Sequence, residues 1–166
     1  KKTKDKKQIA YLINSRLEEI RSTLFRQVLF AEFELKIHQI VENNIPLTFQ
    51  LLKNEYRKLY EFYYGKEVFI DSEIEIEWAR IPHFYYNYYV YQYATGISAA
   101  ISLYKKVING GKKELNDYLN FLKTGGSKFP LDTLKDAGID MTSSKPVEDT
   151  IDYFDELLEK LKEIND

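Results

Sequence analysis

Residues 8–44, QIAYLINSRLEEIRSTLFRQVLFAEFELKIHQIVENN, contain neither glycine nor proline, and their apolar side chains recur at intervals of three and four. Ile13, Leu17, Ile20, Leu24, Val28, Ala31, Leu35 and His38 share one helical face, and Phe25, Leu29 and Phe33 widen it into a second stripe. The spacing predicts one long helix, bent or straight, with contacts on two sides. His38 falls on the apolar line and has no acidic neighbour at zinc-ligand spacing, so it reads as a hydrogen-bonded core histidine rather than a metal ligand.

Outward from this stretch the same period continues. Asn43-Asn44-Ile45-Pro46 ends the first helix, because the residue before a proline is pushed out of the α region. Thr48 is placed to cap a second helix, with Leu47 and Leu52 as a hydrophobic staple. That helix carries Phe49, Leu52, Tyr56, Leu59, Tyr60 and Tyr63 inward and stops at Gly65. Residues 67–77 lack a helical period, and an isolated two-strand element would be marginal, so they read as an extended connection. Their alternating Glu73, Glu75 and Glu77 fit a solvated face better than a hard-cation site.

From Pro82, a favoured first-turn residue, a helix is predicted to run to about Asn109. It is thinned around Gly96 by Ala94, Ser98, Ala99 and Ala100, where a neighbouring helix could approach closely. Three further helices follow: Lys112 to Lys123, stopped by Gly125-Gly126; Leu131 to Ala137, closed by Gly138; and a last one from Pro146. Glu148 and Asp149 fall in its first turn, where carboxylates favour the helix dipole. Val147, Ile151, Phe154, Leu158 and Leu161 form its apolar stripe, and the acidic residues from Glu148 to Asp166 read as its solvated face. No internal repeat or composition shift divides the chain, so an all-α, multi-helix domain spanning 1–166 is expected.

Composition excludes several function classes. A net charge of -2 over 166 residues gives no global pull toward nucleic acid or an anionic membrane, so neither is expected as a partner. There is no cysteine, hence no disulfide, thiolate nucleophile or thiolate metal site, which is compatible with the expected cytoplasmic location. The start, Lys1 to Lys7, has no following apolar region and so is not a secretory signal. It lacks a methionine and enters a helical pattern directly, as expected for a chain beginning inside a larger protein.

The two histidines, His38 and His83, are not followed by glutamate, so H-E-x-x-H is absent. No serine lies in a G-x-S-x-G elbow. Gly125-Gly126-Ser127 matches no phosphate-binding loop and reads as a helix-to-helix turn. The densest chemistry lies at residues 83–93, which hold six of the 14 tyrosines and one of the two histidines. At about 100° per residue on a continuous helix, His83, Asn87, Tyr88 and Tyr91 share an arc of about 140°, with Tyr85, Tyr86, Tyr89 and Tyr93 opposite. Phenols stay protonated at neutral pH and can donate to an oxyanion, as can an imidazole. The same residues would equally serve a core, their hydroxyls reaching backbone carbonyls or water.

These residues carry a resemblance. Ile81-Pro82-His83-Phe84-Tyr85 followed by Tyr88-Tyr89-Val90-Tyr91-Gln92-Tyr93-Ala94-Thr95-Gly96 resembles the C-terminal signature of the oligoendopeptidase F family, a branch of the thimet-oligopeptidase-like zinc metallopeptidases. Thr23-Leu24-Phe25-Arg26-Gln27 with Phe30-Ala31-Glu32-Phe33-Glu34, Gly125-Gly126-Ser127-Lys128-Phe129-Pro130-Leu131 and Asp136-Ala137-Gly138 extend it over most of the chain. The resemblance implies part of a two-lobed helical fold around a channel that admits short peptides. It implies a zinc metalloendopeptidase whose zinc ligands lie upstream of Lys1, with no metal in this fragment and no activity from the fragment alone. It assigns Tyr91 as the transition-state-stabilising tyrosine and His83 as a catalytic and substrate-contacting residue. Tyr88 is carried over for substrate binding while departing from the phenylalanine common at its position in the family, and Asn87 joins them because it shares their arc of the predicted helix. The competing reading is a stand-alone, non-catalytic helical module whose tyrosines grip a peptide or partner protein.

Overall fold

The computed structural model describes residues 4–165, so Lys1 to Thr3 and Asp166, the last of the acidic residues named above, lie outside the described residues. It is helical throughout its regular parts, as the periodicity requires. In chain order come α1 (Lys6–Ile20), a π-helical turn (Arg21–Phe25), α2 (Arg26–Glu42), α3 (Phe49–Tyr64), two 3-10 helices (Ser72–Arg80 and Pro82–Tyr86), α4 (Tyr91–Asn109), α5 (Lys112–Thr124), α6 (Pro130–Asp136) and α7 (Lys145–Asn165). The expected long first helix is there, interrupted by one wide turn. Thr48 caps α3 by accepting from Leu51 N–H at 3.2 Å, and Gly65 closes it at φ 74°.

The chain divides into two compact units, Ser22–Ala94 and the combination of Lys1–Arg21 with Thr95–Asp166. In the Ser22–Ala94 unit, Leu29, Phe30, Phe33, Tyr56, Ile81 and Val90 form a buried cluster between α2, α3 and the 3-10 segments. Its centre is aromatic, with Phe33 edge-on to Tyr56 at 5.1 Å between ring centroids. In the other unit α1 packs on α7, where Leu17, Ile20 and Leu157 are buried and the Arg16 guanidinium lies over the Tyr153 ring. A smaller cluster of Leu103, Ala137 and Ile139 joins α4 to the turn after α6, and Lys106 Nζ donates to the Ala137 carbonyl at 2.9 Å.

Four expectations change. Residues 72–80 are a 3-10 helix, not an extended connection. Of its glutamates only Glu73 is exposed as a solvated face requires; Glu77 is buried, accepting from Arg26, from Arg80 at 2.5 Å and from the Tyr56 hydroxyl at 2.7 Å. Glu75 pairs with Lys53 at 2.9 Å and Arg57 at 3.1 Å, and Lys53 foremost holds its carboxyl below the usual range. The segment thereby ties itself to α2 and α3 through charge that alternation alone cannot distinguish from a wet edge.

The α7 stripe is rotated. Val147 and Ile151 are each 40% exposed, whereas Thr150 and Leu157 are buried, Thr150 donating its hydroxyl to the Pro146 carbonyl at 2.9 Å. Ala94, Ser98 and Ala99 on the thinned stretch of α4 are buried, while Gly96 has no neighbour within 4 Å of where a Cβ would sit. It borders an apolar groove of about 940 Å³ that Leu103, Tyr118, Phe121 and Leu134 also line. The fourth change concerns the tyrosine stretch, where the predicted continuous helix is broken.

Candidate functional site

Pro82 opens a short 3-10 helix, Pro82–Tyr86, and Phe84 inserts from it against α2, its ring 5.9 Å from Phe30 and 5.7 Å from Phe33. This apolar anchor fixes the turn that carries His83. Asn87 and Tyr88 then follow at φ 42° and 57°. Two successive side-chain-bearing residues in the left-handed region end the helix, because their Cβ atoms crowd the backbone in any further turn. Asparagine tolerates that region better than most residues, which places the break here; tyrosine does not, so its conformation needs outside support.

That support comes from α2. Tyr88 N–H donates to Glu34 Oε1 at 2.7 Å, and the Tyr88 ring packs on His38 with centroids 4.6 Å apart. His38 is half-buried, and its Nδ1 donates to the Glu34 carbonyl at 2.7 Å, which makes it the satisfied histidine its place on the apolar face predicts. Val90, fully buried in the aromatic cluster, is the next anchor, and Tyr91 begins α4 directly after it.

The two-residue turn redirects everything beyond it, so the helical-wheel face does not form as drawn. His83 meets Tyr93 and Tyr89, which the wheel put opposite. His83 Nε2 and the Tyr93 hydroxyl share a hydrogen bond of 2.9 Å, and the imidazole lies nearly parallel to the Tyr89 ring at 5.9 Å. Partial burial and the adjacent Tyr89 hold the Tyr93 phenol above its usual pKa, so it stays a neutral hydroxyl. Tyr88 sits against His38, while Tyr91 is 52% exposed at the start of α4 and Asn87 is exposed at the turn.

The chemistry of this region is that of donors. It presents an imidazole held by tyrosines and phenols at the surface, with no nucleophile activated by a base. A metal does not fit the side chains at hand: among the described residues no group of three or more His, Asp or Glu is placed to hold an ion. Sequence reasoning missed Glu34, Tyr89 and Tyr93. Glu34 carried a signal, since it lies with Phe30 and Ile37 on a helical face that is otherwise apolar.

Residues 1–153 match the model of peptidase family M3. The chain is 50% identical over 160 residues to oligopeptidase PepF of Bacillus subtilis, covering 96% of this chain and 24% of that protein. It is 43% identical over 164 residues to the chromosomal oligoendopeptidase F of Lactococcus lactis, covering 99% and 27%. The crystal structure of oligoendopeptidase F from Enterococcus faecium superposes with a TM-score of 0.93 at 46% identity, over 98% of this chain and 31% of that one. The chain therefore spans about a quarter of the length of the curated relatives it matches. An all-helical fold, ordered motifs from Thr23 to Gly138 and identity along nearly the whole length agree: the chain belongs to peptidase family M3, in its oligoendopeptidase F branch.

Proposed function

We propose that this chain is the C-terminal part of a cytoplasmic, zinc-dependent oligoendopeptidase that hydrolyses short peptides, and that it supplies substrate-binding and oxyanion-stabilising side chains to the channel. One observation carries the reading: Tyr91 follows the buried anchor Val90 at the first residue of α4 and leaves its phenol half in solvent. A rigidly rooted, accessible, neutral donor is what a developing oxyanion requires. The zinc ligands are assigned to the upstream segment of the same protein by the family resemblance; among the described residues no group of three or more His, Asp or Glu is placed to hold an ion. Among the described residues no helix is long and apolar enough to cross a membrane.

Tyr91 donates its hydroxyl to the carbonyl oxygen of the scissile peptide as negative charge develops there, and Tyr88, 37% exposed, is near enough in sequence to assist. His83 positions a substrate backbone carbonyl, its ring held in place by Tyr93 and Tyr89. Asn87 offers an exposed amide to the peptide backbone beside them. Replacing His83 by alanine in the full-length protein is expected to lower kcat/KM for a short fluorogenic peptide roughly tenfold to a hundredfold, as loss of a positioned donor typically does. Steady-state kinetics check this, and an unchanged kcat/KM sinks the role given to His83.

A further inference from the structure

Two charged side chains are buried among the described residues, Glu77 and Glu34. Glu77 is met by two arginines and a tyrosine. Glu34, 1% exposed, has no basic partner among the described residues, and its Oε2 accepts no hydrogen bond. A carboxylate oxygen held from water without a donor is destabilising by an amount that ordinary helix packing gives no reason to retain. The neighbours of Glu34 on α2, Phe30, Phe33 and Ile37, all belong to the apolar cluster. An apolar residue would suit the core better.

Among the described residues the Glu34 side chain makes one hydrogen bond, and it goes to a strained place. Its Oε1 accepts from Tyr88 N–H at 2.7 Å, and Tyr88 is the second of the two successive residues, Asn87 and Tyr88, at positive φ. Strained backbone of this kind persists only where its surroundings over-determine it. Here they do so from a single helical turn of α2. Glu34 holds the Tyr88 backbone, while His38, four residues on, braces the Tyr88 ring. Because a carbonyl only accepts, the 2.7 Å contact from His38 Nδ1 to the Glu34 carbonyl requires the proton on Nδ1, which orients the imidazole that Tyr88 rests on. The turn lies three residues before Tyr91, and Val90 between them is fully buried.

We infer that Glu34 is a positioning residue for the peptidase reaction, clamping the Asn87–Tyr88 turn and thereby setting where the Tyr88 and Tyr91 phenols stand. This rests on the reading that those phenols face the substrate. Glu34 touches no substrate itself. Its carboxylate acts through the backbone, so an amide in its place, which keeps a carbonyl oxygen of the same reach, preserves the function, and a methyl group does not.

The test compares Glu34→Ala with Glu34→Gln in the full-length protein, reading kcat and KM on a short fluorogenic peptide and hydrogen–deuterium exchange over residues 85–91. Glu34→Ala is expected to lower kcat roughly tenfold or more with KM within about threefold, since small displacements of a catalytic group cost rate rather than binding. Exchange over the turn should become fast. Glu34→Gln should recover most of the turnover and of the protection. Glutamine performing no better than alanine, or alanine leaving both kcat and exchange unchanged, overturns the inference. If Glu34→Ala opens the turn but Tyr91→Phe leaves turnover intact, the oxyanion reading fails and the clamp on the turn stands.

Discussion

Replacing Tyr91 with phenylalanine in the full-length protein is expected to lower kcat roughly a hundredfold, about 3 kcal/mol of transition-state stabilisation, while KM for short peptides changes little. The substitution removes one oxygen and leaves the ring itself at the start of α4, next to the buried anchor Val90. A phenol that only packed would tolerate its loss. One that donates to an oxyanion would not, because the bond strengthens as charge moves onto the carbonyl oxygen and is weak in the ground state. The split between kcat and KM is thus the informative readout: a rise in KM with kcat intact would make Tyr91 a substrate-binding side chain and no more.

The second large effect lies at Glu77. Glu77→Ala is expected to destabilise the chain by about 3 kcal/mol, in the range seen when one partner of a buried ion pair is removed. The loss has two parts. The Tyr56 hydroxyl, which donates to Glu77 Oε2 at 2.7 Å, is left without an acceptor in a residue of 0% exposure. The Arg26 guanidinium, half-buried, loses its carboxylate. Arg80 is exposed, so its bond contributes little. Burial, followed by Glu77 itself, pushes the Tyr56 phenol far above its usual pKa, so ionisation of Tyr56 offers no relief. Tyr56→Phe alone should cost about 1 kcal/mol, and the double variant less than the sum, because both singles break the same bond. Urea unfolding measures all three; a Glu77→Ala effect below about 1 kcal/mol would mean that the network does not hold the 3-10 segment to α2 and α3.

The helices were legible wherever an apolar stripe of period three to four ran between cap and stop signals. Thr48, Gly65, Gly125 and Gly138 mark ends that the structure keeps. What escaped was local backbone set by distant side chains. The turn at Asn87–Tyr88 depends on Glu34, 54 residues earlier, and residues 72–80 depend on Arg26, Lys53, Tyr56 and Arg57. Alternating glutamates look alike whether they face water or arginine. The proposed site residues are neighbours in sequence, but their grouping followed a helix that does not continue past Tyr86, and so Tyr89 and Tyr93 were set on the wrong side of His83.

Those corrections bear on the role of the tyrosines. An aromatic run forming one smooth helix would bury half of its phenols. Broken by the positive-φ turn, the same run leaves Tyr88 37% and Tyr91 52% exposed while Phe84 and Val90 on either side stay anchored in the core. The break is what makes surface donors out of residues whose composition alone suits a hydrophobic interior.

A crystal structure of the full-length protein with zinc and a phosphinic peptide, a mimic of the tetrahedral intermediate, tests this account most directly. The Tyr91 hydroxyl is predicted to lie about 2.6–2.8 Å from a phosphinate oxygen, the ordinary length for a hydroxyl donating to an anion. A phosphinate bound in the channel with the Tyr91 phenol pointing away from it would contradict the claim that this chain supplies the oxyanion donor.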